Sequence, residues 1–435
     1  MGRKTFVLDT TVFLHDPMAL SKFENSDVII PIAVLHELDK IKRSNDMLGK
    51  NARGVLRQIE KLEGDIFSGI KLSNGSYISV YIQRSKPKSS AFHYNLDNYK
   101  HQILLTAFTL QAEGKDVVVL ISKDFILRLK AQSLGLLAQD YVNIKALESR
   151  AYSGKRDVEL SKLDADKANQ KGVIDVGHLD PFYPNEYAVI KSGGNTKLFA
   201  KYCSEQEGLK VISKAGQKVW GISPLNDEQS CAMDLLLNDK VPLVSLVGPA
   251  GTGKTLLALA CALAKVFDEG VYGRILVTRP IMPLGKDIGF LPGSKEEKIF
   301  HWMQPIYDNL EFICGISGGG QAGAETKQWI MDSEKIELEA VTYIRGRSLA
   351  KTFMIIDEAQ NLTPHEVKTI ISRAGKGTKV VLAGDPSQID NPYLSEDSNA
   401  LSYVIQHFKP EAVFGHIVLH KTERSELAAI AARIL

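Results

Sequence analysis

Residues 248–255 read GPAGTGKT and fill every fixed position of the pattern G-x-x-x-x-G-K-[ST]. The apolar run VPLVSLV precedes them, and the helix-like LLALACALAKVF follows. A strand–loop–helix unit of this kind grips phosphate. Across Gly248, Pro249, Ala250, Gly251, Thr252 and Gly253 the glycines let backbone N–H groups turn inward. Lys254 can then reach the outer phosphate oxygens, Thr255 can ligate Mg²⁺, and the helix N-terminus adds a favourable dipole. A Gly-rich turn with a chance lysine rarely carries both correct flanks. A second element, FMIIDEAQN (353–361), delivers Asp357 and Glu358 at the end of an apolar strand. Open α/β sheets bind ligands at that edge. Asp357 would hold the Mg²⁺ water shell there, and Glu358 would polarise an attacking water.

Further candidates surround this pair. KVVLAGDPSQID (379–390) ends a third strand with Gln388 close by, placed to sense a γ-phosphate. Arg424, after HIVLHK, and Arg373, in IISRAGKG, are the candidates for a positive charge over a transferring phosphoryl group, here or on a neighbouring copy. Singly, either arginine is more often a surface ion-pair partner. SPLNDEQ (223–229) sets Asn226 and Gln229 ahead of the strand; a glutamine there could read an adenine edge and favour ATP over GTP.

A different chemistry opens the chain. LDTTVFLHD, VLHELDK, NLDN and LISKDF space Asp9, Glu37, Asp97 and Asp124 across the first lines. Asp9 and Asp124 each follow an apolar strand run, so both belong at one sheet edge, and Glu37 and Asp97 precede or open helices that could join them. Four acids on one cleft repel unless divalent cations are bound. A Mg²⁺ or Mn²⁺ pair can activate water for in-line attack on a phosphodiester. Each acid alone reads as a helix cap, Asp9 beside Thr10 and Thr11 above all.

The elements that must carry these residues alternate in type. KTFVLD, VIIPIA and DVVVLIS read as buried strands, with helical periodicity in VLHELDKIKR, DNYKHQILLTAFTLQAEG and KDFILRLKAQSLG. Such alternation predicts a parallel sheet with helices on both faces, an α/β fold. The pattern dissolves over 151–179, which reads as a linker or one exposed helix. Residues 180–222 then offer short β-type runs (YAVIKS, KLFAKY, LKVIS, KVWGI), a small β-rich barrel or meander. From 223 to 435 the α/β alternation returns, and GISGGGQAGAE (315–325) reads as a mobile surface loop. The 435 residues thus divide into 1–150, 151–179, 180–222 and 223–435. A net charge of +2 excludes a uniformly basic surface, so any nucleic-acid contact must be local. Four widely spaced cysteines point to reduced thiols, and no apolar run reaches membrane-spanning length, so a cytoplasmic location is expected.

SPLNDEQ, GPAGTGKTLLALA, LVTRPIMPLGKDIGFLPGSKEEK, IRGRSLAKTFMIIDEAQNLTPHEVKTIISRAGKGTKVVLAGDPSQID and TERSELA together resemble the PhoH-like ATPases, relatives of superfamily 1 helicases, over 223–435. The resemblance implies a RecA-like P-loop domain that hydrolyses ATP. It also implies that Thr278, Arg279 and Pro280 lie near a nucleotide or nucleic-acid cleft and that Arg279, Arg345 and Arg347 contact RNA. LDTTVFLHDP, PIAVLHELDKIK and ISKDFILRLKAQSLG resemble PIN-domain ribonucleases over roughly 4–150, with Ser122 at the hydroxyl position before the last acid. That implies a three-layer α/β/α domain with Asp9, Glu37, Asp97 and Asp124 as metal ligands. In relatives fused to PhoH modules the third acid stands close ahead of the helix, roughly as DNxIL, whereas LDNYKHQILLTA sets Asp97 farther from Ile103. The combined resemblance implies an ATP-dependent RNA helicase or translocase coupled to a divalent-metal-dependent endoribonuclease on single-stranded RNA, assembled as a homo-oligomer in a hexameric ring. One alternative is an ATP-driven RNA-remodelling or RNA-binding protein with a weak or silent PIN domain. Another is a stress ATPase acting on protein or small phosphorylated substrates.

Overall fold

In a computed structural model the chain forms two compact units, Met1–Ile144 and Lys145–Leu435. The residues described are 3–44, 47–83, 97–114, 117–141, 152–159, 173–175, 179–192, 196–212, 218–280, 295–341, 344, 349–391 and 394–423. Among them, no helix is long and apolar enough to cross a membrane.

The first unit is built on strands β1 (Lys4–Leu8), β2 (Asp27–Pro31), β3 (Ile70–Lys71), β4 (Tyr77–Tyr81), β5 (Val117–Ile121) and β6 (Leu137–Gln139), in the order β3-β4-β2-β1-β5-β6. All pairings are parallel except β3 with β4. Strands covered on both faces read as continuous apolar runs, and Val7, Leu8, Ile30 and Leu120 are buried accordingly. Helices α1 (Thr10–His15), α2 (Ile32–Ile41), α3 (Met47–Glu60), α4 (Tyr99–Ala112) and α5 (Phe125–Ser133) complete the unit. Strand β4 and helix α3 fall where the sequence reading assigned no element. The alternating YISVY of β4 gains its identity from pairing beside β2. The register Leu8↔Ile121 brings the residues after β1 and β5 level at one edge.

The second unit holds two sheets. The smaller comprises β7 (Lys155–Glu159), β8 (Val173–Asp175), β9 (Tyr187–Ser192), β10 (Thr196–Cys203) and β11 (Gly208–Val211), ordered β7-β9-β10-β11-β8. This corrects two expectations. The stretch 151–179 contributes both outer strands. KRDVE shows no apolar run because β7 is an edge strand with only Val158 turned fully inward. KVWGI is a tight turn instead of a strand, closed by two Val219–Ile222 backbone bonds of 2.8 Å. The sheet is seated by Asp234, which accepts from Tyr187 Oη and Lys201 Nζ at 2.6 Å each.

The larger sheet comprises β12 (Leu243–Val247), β13 (Arg274–Arg279), β14 (Ile336–Ala340), β15 (Thr352–Ile356), β16 (Lys379–Gly384) and β17 (Phe414–Val418). Its order is β14-β13-β15-β16-β12-β17, parallel throughout. Helices α6 (Asp227–Leu237), α7 (Lys254–Leu263), α8 (Lys295–Gly318), α9 (Gly320–Asp332), α10 (Pro364–Ile371) and α11 (Ala400–Phe408) accompany it. The supposed loop 315–325 is the junction of α8 and α9, with Gly319 alone between them. Two of its glycines, Gly318 and Gly323, serve close packing: a Cβ on Gly323 would stand 2.9 Å from the Cys314 carbonyl oxygen.

Two buried polar side chains lock this sheet. Lys379 donates to the carbonyls of Leu235, Asn238 and Val241 at 2.9, 2.8 and 2.8 Å, closing the end of α6. Lys379→Met would take one donor from each of these carbonyls, leaving Leu235 O and Asn238 O to their backbone donors Asn238 N (3.3 Å) and Val241 N (3.1 Å). The expected cost is about 3 kcal/mol, read as an earlier denaturant transition; an unchanged midpoint refutes the cap. His416 Nδ1 accepts from Ser245 Oγ at 2.7 Å, and its Nε2–H donates to the Tyr152 carbonyl at 3.1 Å. Burial pushes this imidazole down to about 4. The unfolded chain therefore binds the extra proton first, and the stabilisation present above pH 6.5 is lost as pH falls toward 4. Between pH 7 and 4.5 the wild type should lose about 2 kcal/mol more than His416→Asn, measured by denaturant unfolding.

Candidate functional site

The carboxyl edge of the larger sheet gathers the phosphate loop and its acids. At the end of β12 the chain turns at Gly248, whose φ is 154° and where a Cβ would stand 2.1 Å from the Leu419 carbonyl oxygen. Helix α7 starts at Lys254 behind Gly253, a left-handed N-cap with φ 88°. Lys254 Nζ donates to the carbonyls of Gly248 (2.6 Å) and Pro249 (2.9 Å), so the ammonium lies over the loop. Thr255 Oγ1 donates to Asp357 Oδ1 at 2.8 Å, joining the loop to the end of β15.

Glu358 follows in a left-handed conformation, φ 52°, which a non-glycine residue holds only when its surroundings enforce it. Arg279, ending β13, supplies one constraint: its Nη2 donates to Glu358 Oε1 at 2.9 Å and its Nε lies 3.7 Å from Asp357 Oδ2. Gln360 supplies the other. Its Nε2 donates to Glu358 Oε2 (2.6 Å) and the Gln388 carbonyl (2.9 Å), while its Oε1 accepts from Asp385 N (3.1 Å). Burial pushes the Asp357 carboxyl up, and adjacent Glu358 adds to this; Arg279, Thr255 and Lys254 oppose it.

A cleft of about 350 Å³ opens here, lined by Lys254, Thr255, Arg279, Asp357, Glu358 and Gln388 among others. Buried Asp385 in its wall keeps Oδ2 without a hydrogen-bond partner. A polyphosphate with a divalent cation fits this arrangement: the N-terminus of α7 and Lys254 meet anionic oxygens, and Thr255 and Asp357 are the residues that would hold the cation.

Several expected residues take other positions. Gln229 is buried, with Nε2 donating to the Thr252 carbonyl (3.1 Å) and Oε1 accepting from Leu225 N (2.7 Å), so its amide braces the loop from behind. Arg279, expected near a nucleotide or nucleic-acid cleft and as an RNA contact, does lie in this cleft, beside the two acids. Arg373 is exposed after α10, where its carbonyl accepts from Leu349 N at 3.1 Å. Leu349 leads into the amino end of β15, so Arg373 lies at the edge opposite the cleft and cannot serve this chain's own site. Arg345, Arg347 and Arg424 lie outside the described residues. Glu423 reaches the loop, its N–H donating to the Gly251 carbonyl at 3.1 Å. The sequence reading missed Gln360, although an amide two residues beyond a catalytic-type acid was a usable signal. It also missed Pro305 and Asn309 of α8, which line the cleft and carried no local signal.

The front acids assemble differently. Asp9 is fully buried and caps α1. Its Oδ1 accepts from Thr10 N (2.7 Å), and its Oδ2 accepts from Thr11 Oγ1 (2.5 Å) and Ser122 Oγ (2.6 Å). Burial raises its pKa against those bonds. Ser122 Oγ also accepts from Asp124 N at 2.9 Å, tying the two strand ends together. Asp124 caps α5 through Leu127 N (3.1 Å) and forms an ion pair with Lys100. Burial opposes its ionisation, but the Lys100 ammonium and the backbone amides hold its pKa below the ordinary value. Glu37 lies within α2 and pairs with Lys40 at 3.3 Å. The Tyr99 hydroxyl pKa is pushed up by burial and, against Lys100, by the fields of Asp9, Glu37 and Asp124. Asp97 is exposed ahead of α4, whose cap is Asn98. Among the described residues no group of three or more acids, histidines or cysteines could hold a metal ion. The acids as arranged therefore do not fit a divalent pair: the oxygens of Asp9 and Asp124 already serve as acceptors, and a lysine faces Asp124.

Fold and site together define a P-loop nucleoside-triphosphatase domain behind a domain of a nuclease family. The family model for PhoH-like protein matches residues 221–434, and that for the PIN domain matches residues 6–142. Protein PhoH2 of Bacillus subtilis is 42% identical over 445 residues, covering 99% of this chain and 100% of that protein. Protein PhoH2 of Mycolicibacterium smegmatis is 33% identical over 437 residues, covering 99% and 97%. The chain belongs to the PhoH family, in the branch that joins an N-terminal PIN domain to the PhoH domain.

The geometry around Glu358 predicts that Glu358→Gln keeps nucleotide affinity and loses turnover by roughly 10²-fold or more. Fluorescent-nucleotide binding and phosphate release measure the two, and loss of binding with normal turnover at saturation would reassign the residue.

Proposed function

We propose that the chain couples ATP hydrolysis to movement along, or unwinding of, RNA. The observation that carries this reading is the single cleft in which Lys254, Thr255, Asp357, Glu358 and Arg279 converge. In the proposed reaction a water attacks the γ-phosphorus, the bond to the β-phosphate oxygen breaks, and Glu358 orients the water and takes its proton. Thr255 and Asp357 are the residues that would hold Mg²⁺, which would neutralise phosphate charge. Arg279 links the end of β13 to both acids, so a strand bound at that end would alter Glu358 directly. Assembly as a homo-oligomeric ring, with Arg373 or Arg424 of one copy serving the next, belongs to the same proposal.

For the PIN unit we favour a role in holding unpaired RNA, with weak cleavage, because a lysine faces Asp124 and is ion-paired with it. The stronger nuclease reading draws on the Ser122 bridge, which fixes Asp9 and Asp124 at one edge. With the full chain, ATP turnover should rise on adding single-stranded RNA, and a tailed RNA duplex should separate only with ATP. Turnover indifferent to RNA would refute the motor reading. Brisk Mn²⁺-dependent RNA cleavage, lost in Asp9→Asn, would establish the nuclease instead of the holding role.

A further inference from the structure

The front cleft contains its own cation. Lys100, in the first turn of α4, extends its ammonium to Asp124 Oδ2, while Asp124 Oδ1 is engaged by Leu127 N. The lysine side chain is 37% exposed and the aspartate 16%, so the contact lies within reach of solvent cations. Asp9 Oδ2, linked to Asp124 through the Ser122 hydroxyl, adds negative potential behind the pair. Two other lysines of this unit are turned to different partners: Lys40 to Glu37, and Lys123 to the Tyr141 carbonyl and Asp140. Two cations cannot share Asp124 Oδ2 at contact distance without strong mutual repulsion.

We propose that Lys100 is a built-in counter-ion that competes with a divalent cation for Asp124, so that the cleft takes such a cation weakly until the lysine is removed or drawn away. Its ammonium neutralises one carboxylate charge, which lets Asp9 and Asp124, linked through Ser122, be tolerated together in the folded chain without metal. The interaction is directional and local. Removing it frees an oxygen and leaves the acids mutually repelled, and both effects favour a bound divalent ion.

The test is metal binding by the nucleotide-free full chain, followed by the electron paramagnetic resonance signal of free Mn²⁺ during titration. Lys100→Ala and Lys100→Met should bind one Mn²⁺ about tenfold or more tighter than wild type, while Lys100→Arg, which keeps the charge, should resemble wild type. The gain should vanish in Lys100→Ala/Asp124→Asn. Equal affinity in wild type and Lys100→Ala would overturn the proposal, as would a gain that survives loss of the Asp124 charge. Neither ATP turnover nor RNA enters the readout, so failure here leaves the ATP-driven reading untouched, and failure of that reading leaves this one.

Discussion

A parallel sheet releases all its strands at one edge, and the chemistry of both units depends on that constraint. In the larger sheet β12, β13, β15 and β16 run side by side. Gly248, Arg279, Asp357 and Asp385 therefore emerge together, although more than 130 residues separate the first from the last (385 − 248 = 137). The ladder does more than bring them near. Asp357 N donates to the Thr278 carbonyl at 2.9 Å and Gly248 N to the Gly384 carbonyl at 3.2 Å, so register sets each side chain's height over the edge. In the front unit the same constraint, through Leu8↔Ile121, levels Asp9 with Ser122.

Concentrating acids at a sheet edge raises an electrostatic problem, and each unit answers it with a cation from a neighbouring element. Arg279 faces Asp357 and Glu358 from β13, and Lys100 faces Asp124 from α4. The two answers differ in geometry. Arg279 divides its planar fork between Glu358 and the Trp302 carbonyl (3.2 Å) and so fixes direction as well as charge. Lys100 offers a compact charge on a flexible stem, anchored at one oxygen. Gln360 adds a neutral brace in the larger site. Because its amide ties Glu358 to the segment carrying Asp385 and Gln388, those two strand ends shift together or not at all.

Much of this was legible in the residues. GPAGTGKT, with a strand before it and a helix after it, specified a phosphate loop because only glycines tolerate the backbone there, as Gly248 and Gly253 bear out. Asp357 and Glu358 were legible because FMII has to be a buried strand. Parallel topology followed from alternation of strand and helix. The polar edge strand Lys155–Glu159 was not legible, since nothing in KRDVE distinguishes a strand from a charged linker until β9 lies beside it. Nor was the α8–α9 junction, where Gly318 and Gly323, taken for flexibility, serve helix contact.

What the sequence determined by itself was the phosphate loop and the buried strands that end in acids: motif spacing and apolar runs act through neighbours in the chain, and local sterics settle them. Tertiary structure alone decided the partners. Gln229 braces the loop because the turn at Leu225 and the carbonyl of Thr252 converge on it. Arg279 reaches the acids because β13 pairs with β15. Asp97 is exposed ahead of the Asn98 cap while Lys100, in the first turn of α4, pairs with Asp124, so where the helix begins decides which charge meets that acid. Such contacts bridge distant segments, and their energies appear only once the sheet has brought those segments together.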